Sequence, residues 1–191
     1  MRTVSSASID PSVNRRLLLL VGGGHSHALL LRRWLMRPRL RPAGTAVLLV
    51  SRCSTALYSG MVPGVVAGLY SREQAAIDLR QLCRSADVAF IQAEITGLDP
   101  AARELHLQNR PSLRFDRLSL DVGAVTPAPL QEGEQTVKPL EPFLHWLDQR
   151  PQEQPLRIRG GGAAALELAL ALRSRGFADR KSTRLNSSHR T

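Results

Sequence analysis

The sequence predicts an α/β protein built on a parallel sheet, and three observations lead to that prediction. A short, continuous apolar run from Leu17 to Val21 is followed at once by glycines, as in a strand that is buried on both faces. The residues from Ser26 to Met36 then fit a helix, which Pro38 and Pro42 close. A second apolar run, Ala46 to Val50, completes a β-α-β unit of about 35 residues.

The middle of the chain mixes helical and strand patterns. Three glycines and a proline fall between Tyr58 and Gly68, which favours an ordered loop without regular structure. Helical spacing returns from Glu73 to Ser85, and Val88 to Ile95 has the composition of another strand. Alternating residues at Leu105 to Leu107 and at Leu113 to Leu120 predict a small antiparallel meander.

The last third repeats the order of strand, glycines and helix. Thr126 to Pro142 is rich in Pro and Glu and is typical of a connection between domains, and Phe143 to Gln149 fits a short helix. Leu156 to Gly162 predicts a strand that ends in glycines, and Ala163 to Arg175 predicts a helix behind it. Two arginines interrupt this strand, so it is either partly exposed or the sequence is in error there; they are Arg157 and Arg159.

The final residues, 179–191, differ from everything before them. The run from Asp179 to His189 has one apolar residue and no period, and it closely resembles one reading frame of a sequencing-library adapter. On that interpretation the biological chain stops near Ala178; the alternative is a disordered basic terminus. We therefore expect residues 179–191 to be unpacked. A truncated second fold would also leave its helix uncovered, exposing an apolar stripe of Leu166, Leu168, Leu170 and Leu172.

The formal net charge of +10 does not predict a nucleic-acid partner. The 26 Lys and Arg residues are spread singly and in pairs over the whole length, whereas nucleic-acid binding uses a clustered basic patch. Aromatic residues make up only 4% of the chain, which is too little for base-stacking platforms.

Cysteine spacing and hydropathy favour a cytoplasmic protein that is at most peripheral to the inner face of a membrane. Cys53 and Cys83 form no C-x-x-C pair, which suggests a reducing compartment, and Cys53 is interpreted as a small structural residue. The apolar run after Arg15-Arg16 is shorter than the roughly 7 residues of a secretory signal. No stretch approaches the roughly 20 apolar residues of a membrane span.

A candidate phosphate-binding loop lies between the first strand and the first helix. Gly22 permits a tight turn and Gly24 lets the backbone approach a phosphate, with Gly23 between them. The N-terminus of the helix, with His25 and Ser26, supplies N–H groups and positive potential. This spacing therefore predicts a site for a pyrophosphate.

The loop departs from the usual G-x-G-x-x-G fingerprint in two places. His27 replaces the third glycine, and no acidic residue follows the second strand, where Ser51-Arg52-Cys53 stands. A glycine turn without a ligand remains the alternative. A metal site at His25 and His27 is not expected, because no neighbouring Cys, Asp or Glu completes a set of four ligands.

Three segments together resemble the pyridine nucleotide-disulfide oxidoreductase superfamily. They are Gly22 to His27, the run Tyr58-Ser59-Gly60-Met61-Val62-Pro63-Gly64, and Phe115 to Gly123. The similarity spans about residues 15 to 178. It is greatest to the type II NADH dehydrogenase-like branch, which includes the flavoprotein module fused to selenide, water dikinase. The resemblance implies bound FAD, with Pro63 and Gly64 beside the flavin ring and Gly123 near the cofactor.

A second glycine motif begins at Gly160. The run Gly160-Gly161-Gly162-Ala163-Ala164-Ala165 matches G-x-G-x-x-A, in which a small third residue allows close packing of helix on strand. In the superfamily that the chain resembles, this motif would bind NAD(P)H through Gly160, Gly162 and Ala165. Glu167 matches the acidic residue that often follows. The alternative is an alanine-rich helix that merely packs.

These observations predict an α/β protein with a Rossmann-like FAD-binding domain, made of a parallel sheet and a small antiparallel meander. The truncated start of a second dinucleotide-binding domain follows it. The predicted divisions are a disordered leader (1–14), the FAD-binding domain (15–130), a connecting segment (131–152), the start of the NAD(P)H-binding domain (153–178) and the tail (179–191).

The resemblance implies an FAD-dependent oxidoreductase that accepts a hydride from NAD(P)H and passes electrons to a quinone or another acceptor. The absence of a cysteine pair argues against a disulfide reductase, and no residue is assigned as a catalytic acid or base. We expect the fragment alone to be inactive. The alternative function is a non-catalytic regulatory module that binds FAD or another nucleotide.

Overall fold

The computed structural model describes residues 16–125 and 133–177. The predicted leader, the predicted tail and part of the predicted connecting segment lie outside these residues. The described residues form two compact units. The first contains residues 16–54 and 79–122, and the second contains residues 55–78, 123–125 and 133–177.

The first unit is built on four parallel strands in the order β5-β2-β1-β9. They are β1 (Arg16–Val21), β2 (Thr45–Ser51), β5 (Ala89–Gln92) and β9 (Arg117–Leu120). In β1, Val21 lies opposite Val50 on one side and Leu120 on the other. Leu19 and Leu20 are fully buried, as expected of an apolar run in a central parallel strand. The predicted α/β fold with a parallel sheet is confirmed.

Two helices of the first unit contact each other, α1 (His25–Met36) and α4 (Leu79–Ser85). Helix α1 buries Ala28, Leu31 and Trp34, which recur at helical spacing. It ends at Met36 with Arg37 as its C-cap residue, and a short 3-10 helix (Pro38–Leu40) follows because a proline cannot continue an α-helix. The predicted β-α-β unit is therefore present.

A three-stranded antiparallel sheet packs against the parallel one. Its strands, in the order β6-β7-β8, are β6 (Ile95–Asp99), β7 (Glu104–Leu107) and β8 (Arg110–Arg114). Leu105 and Leu107 of β7 share a buried cluster with Leu19 and Val50 of the parallel sheet. The meander predicted from alternating residues is thus confirmed, with β6 as its first strand.

The prediction that residues 113–120 all belong to the meander was wrong. After β8 the chain turns at Asp116, whose Oδ2 accepts a 2.6 Å hydrogen bond from the backbone N–H of Leu17. Strand β9 then pairs with β1 in the parallel sheet. The predicted strand from Val88 to Ile95 likewise divides between β5 and the start of β6. Alternation reports which residues are buried, and it does not report which sheet a strand joins.

The second unit is mainly helical. It contains α2 (Val62–Val66), α3 (Arg72–Ala75), α5 (Leu140–Asp148) and α6 (Ala163–Ser174), with an antiparallel pair of β3 (Thr55–Leu57) and β4 (Ala76–Asp78). The predicted helices at 143–149 and 163–175 are present, the first of them beginning at Leu140. The buried residues of its core are Val62, Val65, Val66, Ala75, Phe143, Leu144, Leu147, Leu168, Ala171, Leu172 and Phe177.

Residues 58–68 were predicted to lack regular structure, and that prediction was wrong. A 3-10 helix (Ser59–Met61) leads directly into α2. Val62, Val65 and Val66 are buried at helical spacing, and their burial in the core outweighs the low helix propensity of valine and glycine.

Residues 73–85 do not form the single predicted helix. Ser71 and Gln74 make a capping box that starts α3, in which Gln74 N–H donates to Ser71 Oγ at 3.2 Å. Strand β4 then interrupts the helical period because Ile77 pairs with Ala56 of β3. Helix α4 begins only at Leu79.

Candidate functional site

The first glycine loop lies where the strand order of the parallel sheet reverses. Gly22, Gly23 and Gly24 connect the carboxyl end of β1 to α1. The chain passes from β1 through α1 to β2 on one side, and it returns later as β9 on the other side of β1. Open α/β sheets bind their ligands at such a reversal, outside the carboxyl ends of the strands. The predicted placement of this loop between a central parallel strand and a helix is confirmed.

Gly22 and Gly23 are required by close packing within the first unit. Gly22 has φ +95°, and a Cβ added there would overlap the backbone carbonyl of Asp121. A Cβ on Gly23 would overlap the side chain of Leu79 and lie 3.0 Å from Ser51 Oγ. These two glycines therefore let β9, α4 and β2 approach the loop, whether or not a ligand is bound.

The carboxylate of Asp121 lies at the N-terminus of α1. Its Oδ2 accepts a 3.1 Å hydrogen bond from the backbone N–H of His27, and its backbone carbonyl accepts one of 3.1 Å from Gly24 N–H. The carboxylate thus satisfies one of the first-turn N–H groups and interacts favourably with the helix dipole. A Cβ on Gly24 would overlap this carboxylate, so a larger residue there would displace the Asp121 side chain. Asp121 was not among the predicted site residues, although an acidic residue at the end of a strand was a signal for it.

His27 occupies the position of the third fingerprint glycine, and only 2% of its surface is exposed. Its ring Nδ1 lies 2.8 Å from Gly22 O, and its Nε2 lies 2.9 Å from Ser119 Oγ. His25 and Ser26, which precede it in the first turn of α1, are exposed. Within residues 16–125 and 133–177, no three His, Cys, Asp or Glu side chains are grouped as metal ligands.

The residues predicted to approach a flavin ring fall in the second unit. Pro63 lies in the first turn of α2, where its missing N–H has no intrahelical partner to lose. Gly64 packs against the ring of Tyr70, which a Cβ would approach to 2.5 Å. Gly123 has φ +77° in open space, so its requirement is conformational. Contact of Pro63, Gly64 and Gly123 with a flavin stays a prediction.

The second glycine motif caps α6. Gly162 is the N-cap residue of this helix, and Gly160 has φ +146°. A Cβ on Gly160 would lie 3.6 Å from Ala165 Cβ, so the alanine closely approaches the glycine turn, as the fingerprint expects. Glu167 is exposed on the helix. Binding of NAD(P)H by Gly160, Gly162, Ala165 and Glu167 stays a prediction.

The prediction of a strand from Leu156 to Gly162 was wrong, because residues 155–161 have no regular structure. Leu156 and Ile158 pack on the core of the second unit, while Arg157 and Arg159 are exposed. Packed and exposed side chains thus alternate here as they would in a strand, but the backbone forms no strand. A strand also needs a hydrogen-bonded neighbour, and in the described part of this unit β3 and β4 pair only with each other.

Helix α6 exposes leucines, as predicted, but they do not form one stripe. Leu166 and Leu170 are 63% and 59% exposed, whereas Leu168 and Leu172 are buried. Residues two apart on an α-helix point about 200° apart, so leucines at every second position divide between opposite faces. The expectation of a single exposed stripe was therefore incorrect in its geometry.

The two cysteines lie in different environments, and this leads to a first prediction. Cys53 is exposed, and Cys83 is buried in α4, where burial raises the pKa of its thiol to about 12. Because the thiolate is the reactive form, iodoacetamide should modify Cys53 in the folded protein and Cys83 only after unfolding. Peptide mass spectrometry of native and urea-treated samples measures this. Equal modification of both thiols in the native sample would contradict the prediction.

Within the described part of the chain, no helix is both long and apolar enough to cross a membrane. No protein-family model matches the sequence, and no curated protein matches it.

Solved structures share the fold. The chain is similar to reduced CoADR-RHD of Bacillus anthracis, with 18% identity over 85% of this chain and 31% of that one, and a TM-score of 0.65. NADH:rubredoxin oxidoreductase of Clostridium acetobutylicum gives 16% identity, coverage of 85% and 42%, and a TM-score of 0.65. Sulfide:quinone oxidoreductase of Aquifex aeolicus gives 20% identity over 70% of this chain and 31% of that one, with a TM-score of 0.57. The chain therefore spans less than half the length of these three proteins, and the similarity establishes its fold.

Proposed function

We propose that this chain binds FAD and is part of a flavoprotein that oxidises NAD(P)H. The observation that carries the proposal is the position of Gly22 to Gly24 at the reversal of strand order between β1 and β9. Dinucleotides bind at this point in open α/β sheets.

The backbone of the loop suits a pyrophosphate. Gly22, Gly23 and Gly24 carry no side chain that would obstruct the approach of a phosphate, and α1 directs its positive dipole end and first-turn N–H groups toward the loop. In this proposal Gly22 to Gly24, with His25 and Ser26, hold the pyrophosphate of FAD. The carboxylate of Asp121 lies at the same helix end, and its negative charge opposes an anion there.

The remaining roles rest on the resemblance of the sequence motifs. Pro63, Gly64 and Gly123 are proposed to border the flavin, and the motif at Gly160 is proposed to bind NAD(P)H. Bound FAD would supply the redox chemistry, in which a hydride comes from NAD(P)H and two electrons leave to a quinone or another acceptor. The chain itself contributes binding, orientation and electrostatics.

Ligand competition tests the proposal directly. We expect the purified chain to bind FAD saturably in isothermal titration calorimetry. ADP should displace FAD, because ADP carries a pyrophosphate for the loop, whereas riboflavin lacks one and should displace FAD poorly. Gly44→Ala checks that a substitution outside the loop leaves binding unchanged. Gly44 lies in open space away from the loop, so this variant should bind FAD as the unmodified chain does. Absence of FAD binding, or displacement by riboflavin as effective as displacement by ADP, would contradict the proposal.

A non-catalytic FAD-binding module is the second candidate for these 191 residues. The observation that favours it is the lack of a strand before the second glycine motif in the described chain, since a nucleotide fold presents this motif at a strand end. We therefore expect FAD binding without NAD(P)H oxidation. Steady consumption of NADH or NADPH with ferricyanide as acceptor, followed by absorbance, would instead favour the catalytic function in the chain alone.

A further inference from the structure

We propose that His27 is a positioning residue that fixes the direction of the backbone in the first glycine loop. The role in ligand binding rests on the proposed function, whereas the hydrogen bonding of the ring is a property of the chain by itself. His27 stands where the fingerprint has glycine, and its buried ring lies between the loop and β9.

The geometry determines which ring nitrogen carries the hydrogen. Nδ1 lies 2.8 Å from the carbonyl oxygen of Gly22, and a carbonyl oxygen can only accept a hydrogen bond. Nδ1 is therefore the donor. In the neutral ring Nε2 is then an acceptor, and the Ser119 hydroxyl, whose Oγ lies 2.9 Å away, donates to it.

His27 thus connects three parts of the first unit through its ring and its backbone. The ring links the turn at Gly22 to Ser119 in β9, and the backbone N–H of His27 donates to Asp121 Oδ2 at 3.1 Å. Gly22 donates its own N–H to Val50 O of β2 at 2.8 Å, so the Gly22 residue is held on both sides of its Cα.

Holding the Gly22 carbonyl has a consequence for the next amide. A trans peptide unit is planar, and its C=O and N–H point in opposite directions. When His27 Nδ1–H holds Gly22 O on one side, the N–H of Gly23 must point to the other side. In the proposed function Gly23 N–H is one of the pyrophosphate donors, so His27 orients a donor without touching the ligand.

Two substitutions separate the bonds of the ring. In His27→Asn the side-chain amide can replace Nδ1–H and donate to Gly22 O, whereas in His27→Gln the longer amide reaches the Nε2 position beside Ser119. We expect FAD affinity in titration calorimetry to fall at most about threefold in His27→Asn and at least about tenfold in His27→Gln. Ser119→Ala, which keeps the bond to Gly22, should resemble His27→Asn. A merely structural role would weaken binding in both His27 variants alike, and that result would overturn the proposal.

A second measurement does not depend on FAD or on the folding of a variant. In the unmodified, ¹⁵N-labelled chain at mildly alkaline pH, two-bond ¹H–¹⁵N spectra of the His27 ring should show hydrogen on Nδ1 and none on Nε2. The opposite tautomer would overturn the proposal. If Nδ1 carries the hydrogen as expected but no FAD binds, the proposed function fails while the assigned hydrogen bonding stands.

Discussion

Replacing Gly22 by alanine should lower the free energy of unfolding by about 3 kcal/mol or more. Two costs add. Alanine is strained at φ +95°, and its Cβ would overlap the Asp121 carbonyl, which is backbone and cannot move without shifting β9. Urea denaturation followed by circular dichroism measures the loss, and the melting temperature should fall by roughly 10 °C.

Gly44→Ala is the control that separates the two costs. Gly44 also has a positive φ, +63°, but no heavy atom lies within 4 Å of its Cβ position. Only the backbone strain applies, and we expect a loss of about 1 kcal/mol. Equal losses in the two variants would show that β9 does not approach Gly22 as described.

Replacing Asp121 by asparagine should tighten FAD binding about tenfold, or about 1.4 kcal/mol. The amide oxygen of asparagine can still accept the hydrogen bond from His27 N–H, so the helix cap is kept. What is lost is the negative charge beside the proposed pyrophosphate. Full Coulomb repulsion would be larger, but Asp121 is only half-buried, so solvent screens part of it. Titration calorimetry at low and high salt measures the change, which should shrink as salt is added.

Asp116→Asn is the matched control for Asp121→Asn. Asp116 lies before β9 and accepts a hydrogen bond from Leu17 N–H at the amino end of β1, so it is at the opposite end of the same strands. Its substitution removes the same charge from the chain and should leave FAD affinity unchanged. If both variants bind FAD equally, or if Asp121→Asn binds it less tightly, the pyrophosphate does not lie at this helix end.

Much of the first unit could be predicted from local patterns. The apolar runs of β1 and β2 are continuous because both faces of a central parallel strand are buried, and this signal needs no knowledge of distant residues. Glycines directly after β1 and a helical period directly after them placed the loop correctly. Alternation also revealed the meander.

Predictions failed where a distant partner decided the local structure. Residues 62–66 are helical because their valines reach the core that α5 and α6 build. Residues 76–78 form a strand because β3 is available to pair with them. Residues 156–161 alternate like a strand, but they join no sheet of the described residues, so they form no strand.

The sequence by itself therefore determined the β-α-β unit and the glycine loop, since these depend on residues that are near neighbours in the chain. Only the tertiary structure brought Asp121 and Ser119 to that loop, 94 and 92 positions from His27. The physical reason is that the chain leaves the meander after β8 and continues as β9, which pairs with β1. This pairing depends on hydrogen bonds across the sheet. The charge at the helix N-terminus and the hydrogen bonds of His27 follow from that pairing.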